Sequence, residues 1–192
     1  MFPRTRIFKI YICPFLVIGL ILLSEWLKTE YGKQQTFQEK AKTTNALAEV
    51  DVRHLTQATV RKVVDGDTIE LEDGQKVRYI GMDTPETKHP KKSVQCYGRE
   101  ASAKNKELVE GKQILMEKDV SETDRYGRLL RYIYLPNPKA SDEAIFVNEY
   151  LVEQGYARLL TYPPDIKYNE ILQAAEKTAR KQNKGLWSSC KN

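Results

Sequence analysis

Two Asp-Gly steps divide the stretch from Val60 to Ile80 into three short apolar segments, and this rhythm constrains the fold more than any other feature. Val60, Val63 and Val64 lead into Asp65-Gly66-Asp67. Ile69 and Leu71 then alternate with Thr68 and Glu70, Asp73-Gly74 follows, and the chain returns through Val77 to Ile80. Alternation with period two marks half-buried strands, and Asp-Gly suits a tight reversal because both residues tolerate positive φ. The spacing predicts a three-stranded antiparallel meander that brings its third strand back beside its first. Downstream it predicts a helix over Arg99–Glu110 stopped by Gly111, a strand over Gln113–Glu117, a turn at Asp124-Arg125-Tyr126-Gly127 and a strand over Leu130–Leu135. A short helix over Val147–Gln154 ends at Gly155. A last helix, after Pro163-Pro164, sets Tyr168, Ile171, Leu172, Ala175 and Ala179 on one apolar stripe. Strands and helices in this mixture fit an α+β fold, mainly β: a small five-stranded barrel with three helices, of which an OB-type barrel is one form.

The first residues read as an address. Arg4, Arg6 and Lys9 precede an apolar run from Ile10 to Leu23, and Glu25, Trp26 and Lys28 follow it. The run lies between a signal peptide and a spanning helix, which takes ~20 residues. No Ala-x-Ala triplet adjoins it; Ala46-Leu47-Ala48 lies well downstream. Residues 1–27 are therefore expected to act as an uncleaved signal anchor rather than a signal peptide, the protein being secreted if they are cut. Basic residues ahead of the run place the N-terminus inside and the remainder outside the cytoplasm, tethered to the membrane. Residues 28–57, polar and mixed in charge, form a juxtamembrane linker, and residues 58–190 form the folded domain.

The side chains narrow the chemistry. Net charge is +5, which favours polyanionic partners. With only His54 and His89, and no Cys-x-x-Cys among three cysteines, a zinc cluster and a histidine-based triad both lack their parts. A metal would be held by carboxylates, and hence be a hard cation such as calcium or magnesium. Asp65, Asp67, Asp83 and Glu86 supply them, in two clusters that a meander would gather at one rim. Carboxylates so gathered repel one another unless a cation binds. Arg78 and Arg128 suit a phosphate carrying extra negative charge, because guanidinium stays ionised and binds phosphate oxygens in pairs. Tyr126, beside Arg125, offers a face on which a base can stack. The basic stretch Lys88-His89-Pro90-Lys91-Lys92 next to Glu86 would guide a polyanion. Each feature alone has a plainer reading as a turn, a loop or a solvated charge; their combination weakens that reading.

Taken in order, these stretches resemble the staphylococcal nuclease family. The matching segments are Val64-Asp65-Gly66-Asp67-Thr68, Arg78 with Asp83-Thr84-Pro85-Glu86-Thr87-Lys88-His89-Pro90, Tyr97-Gly98, Asp124-Arg125-Tyr126-Gly127-Arg128, Val147-Asn148-Glu149 and Leu186-Trp187-Ser188. The resemblance implies one bound Ca²⁺, held by the carboxylates of Asp67 and Asp83 and the backbone carbonyl of Thr84, with Asp65 in support. It implies that Glu86 activates or orients the attacking water and that Arg78 and Arg128 bind the phosphate. Arg125, Tyr126 and Tyr162 would line the nucleotide pocket of a monomeric domain. The implied activity is endonucleolytic hydrolysis of DNA and RNA, single strands preferred, leaving 3′-phosphate ends. The alternative is a non-catalytic OB-type module that binds single strands, although acidic side chains facing a phosphate would only weaken such a module. Cys96 and Cys190 fall outside the family's pattern. They flank the first and last domain helices, and outside the cytoplasm they are expected to pair.

Overall fold

Eight strands and four helices are present among residues 55–87, 93–136 and 144–190, which the computed structural model describes. The anchor expected at 1–27, nearly all of the linker expected at 28–57 and the basic stretch Lys88–Lys92 lie outside the described residues. The elements run β1 (Thr56–Asp65), β2 (Thr68–Leu71), β3 (Lys76–Tyr79), β4 (Met82–Asp83), α1 (Gly98–Val109), β5 (Gln113–Glu117), β6 (Leu129–Pro136), β7 (Ala144–Phe146), α2 (Val147–Glu153), β8 (Arg158–Leu159), α3 (Asn169–Lys181) and α4 (Leu186–Ser189).

The large sheet has the order β3-β2-β1-β5-β6-β7. β3 also pairs in parallel with β6, from Val77↔Leu129 to Tyr79↔Arg131. That pairing closes β1, β2, β3, β5 and β6 into a five-stranded barrel, leaving β7 attached outside on β6. The α+β, mainly β barrel read from the sequence is therefore the fold. One part of that reading is corrected: β3 does not lie beside β1. A meander seats each strand against its predecessor, and the far edge of β1 is taken by β5, through Thr56↔Met116 to Thr59↔Gln113. The two acidic clusters meet at one rim for a different reason. Antiparallel register sets Thr68, at the start of β2, opposite Arg78, near the end of β3.

The core follows from the alternation. Val60, Ile69, Val77, Tyr79, Ile114 and Ile133 are fully or nearly fully buried. An aromatic cluster fills one side, with Tyr132 edge-on to Tyr168 at 4.7 Å and Tyr134 stacked on Phe146 at 5.0 Å. The polar tips of that cluster are satisfied, since Tyr134 and Tyr168 both donate to Glu117, at 2.8 and 2.9 Å. The α3 stripe of Leu172, Ala175 and Ala179 is buried, and α3 packs against α2 and β8. Buried Asn148 accepts from the Ile133 N–H at 2.9 Å and donates to the Ile80 carbonyl at 2.8 Å, fastening α2 to β6 and the end of β3.

Next to it, Glu149 is partly buried on α2, and burial, aided by Glu153 one turn on, pushes its carboxyl up to about 7. A raised carboxyl pKa means that the folded chain keeps a proton which the unfolded chain, at 4.5, has released. Stability from this group is thus full below pH 4.5 and is lost as pH rises through about 7. Glu149→Gln is expected to flatten that part of the pH–stability curve and to gain about 1–2 kcal/mol at pH 8, allowing for partial exposure. Urea unfolding at pH 5 and pH 8 checks it, and equal slopes for parent and variant would refute the assignment.

Cys96 and Cys190 are bonded, with Cα atoms 5.8 Å apart and a separation of 94 positions in sequence. The bond joins the entry to α1 with the exit from α4, as expected. A closed loop of this length restricts the unfolded chain, so a Cys96→Ser/Cys190→Ser variant should lose about 2–4 kcal/mol. The parent should melt well above the variant until it is reduced, and then match it; equal melting before reduction would contradict the expectation.

Candidate active site

Asp67 is the centre of the rim where β1, β2 and β3 end. Its residue is only 2% exposed, and both carboxylate oxygens are engaged. Oδ1 takes a salt bridge from the Arg78 guanidinium and a hydrogen bond from the Thr68 hydroxyl at 3.0 Å. Oδ2 accepts from the Thr84 N–H and the Thr84 hydroxyl, each at 2.9 Å. Burial raises the Asp67 carboxyl, while Arg78 and the Thr84 bonds pull against that rise. The Thr84 contact requires a glycine in the turn before it. A Cβ on Gly66 would lie 2.6–2.8 Å from three atoms of the Thr84 side chain.

Arg78 joins the two acidic clusters. Its Nη2 reaches Asp83 Oδ1 at 2.5 Å while Nη1 holds Asp67. Asp83 itself is exposed, and its main chain is fixed by β4, which pairs with β8 through Met82↔Leu159 and Asp83↔Arg158. Asp65 turns the other way. Its Oδ1 accepts from the Gly66 N–H and the Thr87 hydroxyl, both at 2.8 Å. Burial raises its carboxyl, Thr87 lowers it, and the adjoining Glu86 carboxyl raises it again. Glu86 therefore stands against Asp65 at the edge of the same cluster.

Arg128 approaches from the turn between β5 and β6. Asp124 shapes that turn by accepting the N–H groups of Tyr126 and Arg128, at 2.9 and 3.0 Å. The same carboxylate grips the Arg128 side chain through Nε at 2.7 Å and Nη2 at 2.6 Å. Burial raises the Asp124 carboxyl, but the hydrogen bonds from Arg128 and Tyr126 outweigh it and leave it lowered. The remaining Nη1 of Arg128 reaches the Thr68 hydroxyl at 3.4 Å. A continuous polar chain results, running Arg128, Thr68, Asp67, Arg78, Asp83. Tyr126, 68% exposed, lies under both Arg125 and Arg128, whose guanidinium carbons sit 4.7 and 5.5 Å from its ring centre. Tyr162 stands exposed on its own turn, bridged to Asp165.

The rim thus brings together Asp65, Asp67, Arg78, Asp83, Thr84 and Glu86, with Arg128 linked through Thr68. Thr68 and Asp124 were not singled out from the sequence as site residues. An Asp opening a turn that carries an arginine four residues later was the available signal for Asp124, since Asx turns fold on such a carboxylate. No group of three or more His, Cys, Asp or Glu side chains forms a metal cage among the described residues. The donor set nonetheless fits a hard cation. The Asp67 and Asp83 carboxylates meet on the Arg78 guanidinium, and oxygen donors of this kind are what a hard cation takes.

Comparison with known proteins places the chain in a family. The family described as "Staphylococcal nuclease homologue" matches residues 76–189. A thermonuclease of Staphylococcus hyicus is 42% identical over 133 residues, covering 68% of this chain and 75% of that protein. A thermonuclease of Staphylococcus intermedius is 40% identical over 131 residues, covering 67% and 74%. The endonuclease YncB of Bacillus subtilis (strain 168) is 38% identical over 141 residues, covering 71% and 64%. With a closed five-stranded barrel, a rim of paired arginines and carboxylates, and identity of this extent, the chain belongs to the staphylococcal nuclease family.

Proposed function

We propose that the chain is a calcium-dependent endonuclease that acts outside the cytoplasm, hydrolysing phosphodiester bonds in DNA and RNA to leave 3′-phosphate ends. The observation that carries this reading is the polar chain that links Arg78 and Arg128 through Asp67 and Thr68, with Glu86 beside it. Two guanidinium groups at one rim match the charge that builds on a phosphorus under attack. Arginine has five N–H donors, so each keeps some for phosphate oxygens beyond its present contacts. Glu86 takes a proton from the attacking water; the new P–O bond forms as the bond to the 5′-oxygen breaks, and that oxygen leaves as a hydroxyl with a proton from solvent. Asp67, Asp83 and the Thr84 carbonyl would hold Ca²⁺, which when bound supplies charge neutralisation and polarises the phosphate.

Tyr126 under its two arginines is a stacking platform for an unpaired base, and Tyr162 a second one, which supports a preference for single strands. The Cys96–Cys190 bond supports an oxidising location, and residues 1–27 as a membrane anchor followed by a linker to about residue 57 would deliver the domain there. The test is cleavage of single-stranded DNA by the chain in detergent, with Ca²⁺ and then with chelator, followed by identification of the ends. Calcium-dependent cutting to 3′-phosphates is the expected result. Binding without cutting under any divalent cation would instead indicate a non-catalytic OB-type single-strand binder.

A further inference from the structure

Gln95 contacts the site from outside the charged cluster. Its side-chain oxygen accepts the Glu86 N–H at 2.9 Å, and its own N–H donates to the Glu86 carbonyl at 2.9 Å. One residue thus occupies both main-chain polar groups of Glu86, on either side of the Cα that carries the carboxylate. Its own place is fixed from the C-terminal side. The Gly98 N–H donates to the Gln95 carbonyl at 3.0 Å, and Tyr97 between them adopts the left-handed conformation with φ 68°. A Cβ on Gly98 would lie 2.8 Å from the Pro85 oxygen and 3.2 Å from that of Glu86, so α1 starts in close contact with the Glu86 segment. Cys96, the next residue along, is bonded to Cys190.

We propose that Gln95 is a positioning residue for Glu86: its two hydrogen bonds set where the carboxylate stands, and the Cys96–Cys190 bond anchors Gln95 in turn. This rests on the reading of Glu86 as the group that activates water. Gln95 touches neither the substrate nor the reacting atoms. It acts through placement, to which rate is far more sensitive than stability, because an exposed hydrogen bond adds little to folding while a small displacement of a reacting group slows the step sharply.

The experiment measures kcat, KM and melting of the full chain in detergent, with saturating Ca²⁺ and single-stranded DNA. The variants are Gln95→Ala, Gln95→Glu, Glu86→Gln and the double variant Glu86→Gln/Gln95→Ala. Gln95→Ala should lower kcat about tenfold with KM and melting little changed. Gln95→Glu keeps an acceptor at the same reach and should recover most of the loss. In the Glu86→Gln background, Gln95→Ala should have no further effect, because the group it places has lost its function. Wild-type kcat in Gln95→Ala, or the same tenfold loss in both backgrounds, would overturn the positioning role while leaving Glu86 in place. Wild-type turnover in Glu86→Gln alone is a separate result: it would remove the Glu86 reading, and this proposal with it.

Discussion

Arg78→Ala is expected to remove both the turnover of the chain and a substantial part of its stability. Asp67 is almost wholly buried, and the Arg78 guanidinium is its one opposite charge among the salt bridges of the described residues. Breaking a buried pair by deleting one partner typically costs about 3–5 kcal/mol, because the other charge is left without compensation. Here the penalty has a second source. Burial already raises the Asp67 carboxyl, Asp83 lies on the same guanidinium, and removing it leaves two carboxylates facing each other. Against a total stability of about 5–15 kcal/mol this is a large fraction. Urea unfolding in chelator should show it, and cleavage should fall by at least about a thousandfold. Arg78→Lys should restore part of the stability and little of the activity, since a single ammonium cannot span Asp67 and Asp83 as the two guanidinium nitrogens do. A variant Arg78→Ala that unfolds like the parent in chelator would show that Asp67 does not depend on this charge.

Arg128→Ala is expected to separate activity from stability. Its partner Asp124 is only partly buried, and two of the bonds Asp124 accepts come from main-chain N–H groups that the substitution leaves in place. The turn should therefore hold, with water taking up the freed carboxylate oxygen, and melting should shift by no more than a few degrees, about 1 kcal/mol. Turnover should nevertheless drop about 10²- to 10³-fold, the usual scale for losing one donor aimed at developing charge. The loss should fall on kcat more than on KM, since the Tyr126 platform remains under Arg125. A loss confined to KM would instead make Arg128 a general phosphate anchor with no special tie to the transition state. The contrast between the two arginines follows from burial: Arg78 neutralises an interior charge, whereas Arg128 answers one at the surface.

Much of this was legible in advance, because strong local signals coincide with the site. Asp-Gly steps and period-two alternation marked β1, β2 and β3, and the charged residues at their ends carried the chemistry. The part misread was adjacency. Periodicity says which residues face inward but not which strand fills the far edge of β1, and β5, forty-eight residues beyond Asp65 at its start, is the strand that does. The two-residue strands β4 and β8 were invisible for want of length, although their pairing fixes Asp83 beside Arg158. Thr68 and Asp124 were in view as letters in a motif; Asp124 holds Arg128 locally, yet the link that Thr68 makes between Arg128 and Asp67 depends on a contact spanning from Arg128 back to Thr68, which no local pattern encodes. The four-residue helix α4 was likewise absorbed into the end of the chain, although Leu186 on it is buried and its N–H donates to the Gly155 carbonyl at 2.9 Å.

The bond between Cys96 and Cys190 encloses α1, β5, β6, the turn that carries Arg128, and α3 in one covalent ring. Proteases cut preferentially at exposed loops. A single nick anywhere within this ring releases no fragment: the new ends stay joined through the sulfurs, and the barrel keeps every strand it needs to reclose. Only a second cut or a reductant would separate the pieces, so the half of the chain that bears Arg128 is protected in a way that the stretch before Cys96, open at its N-terminal end, is not.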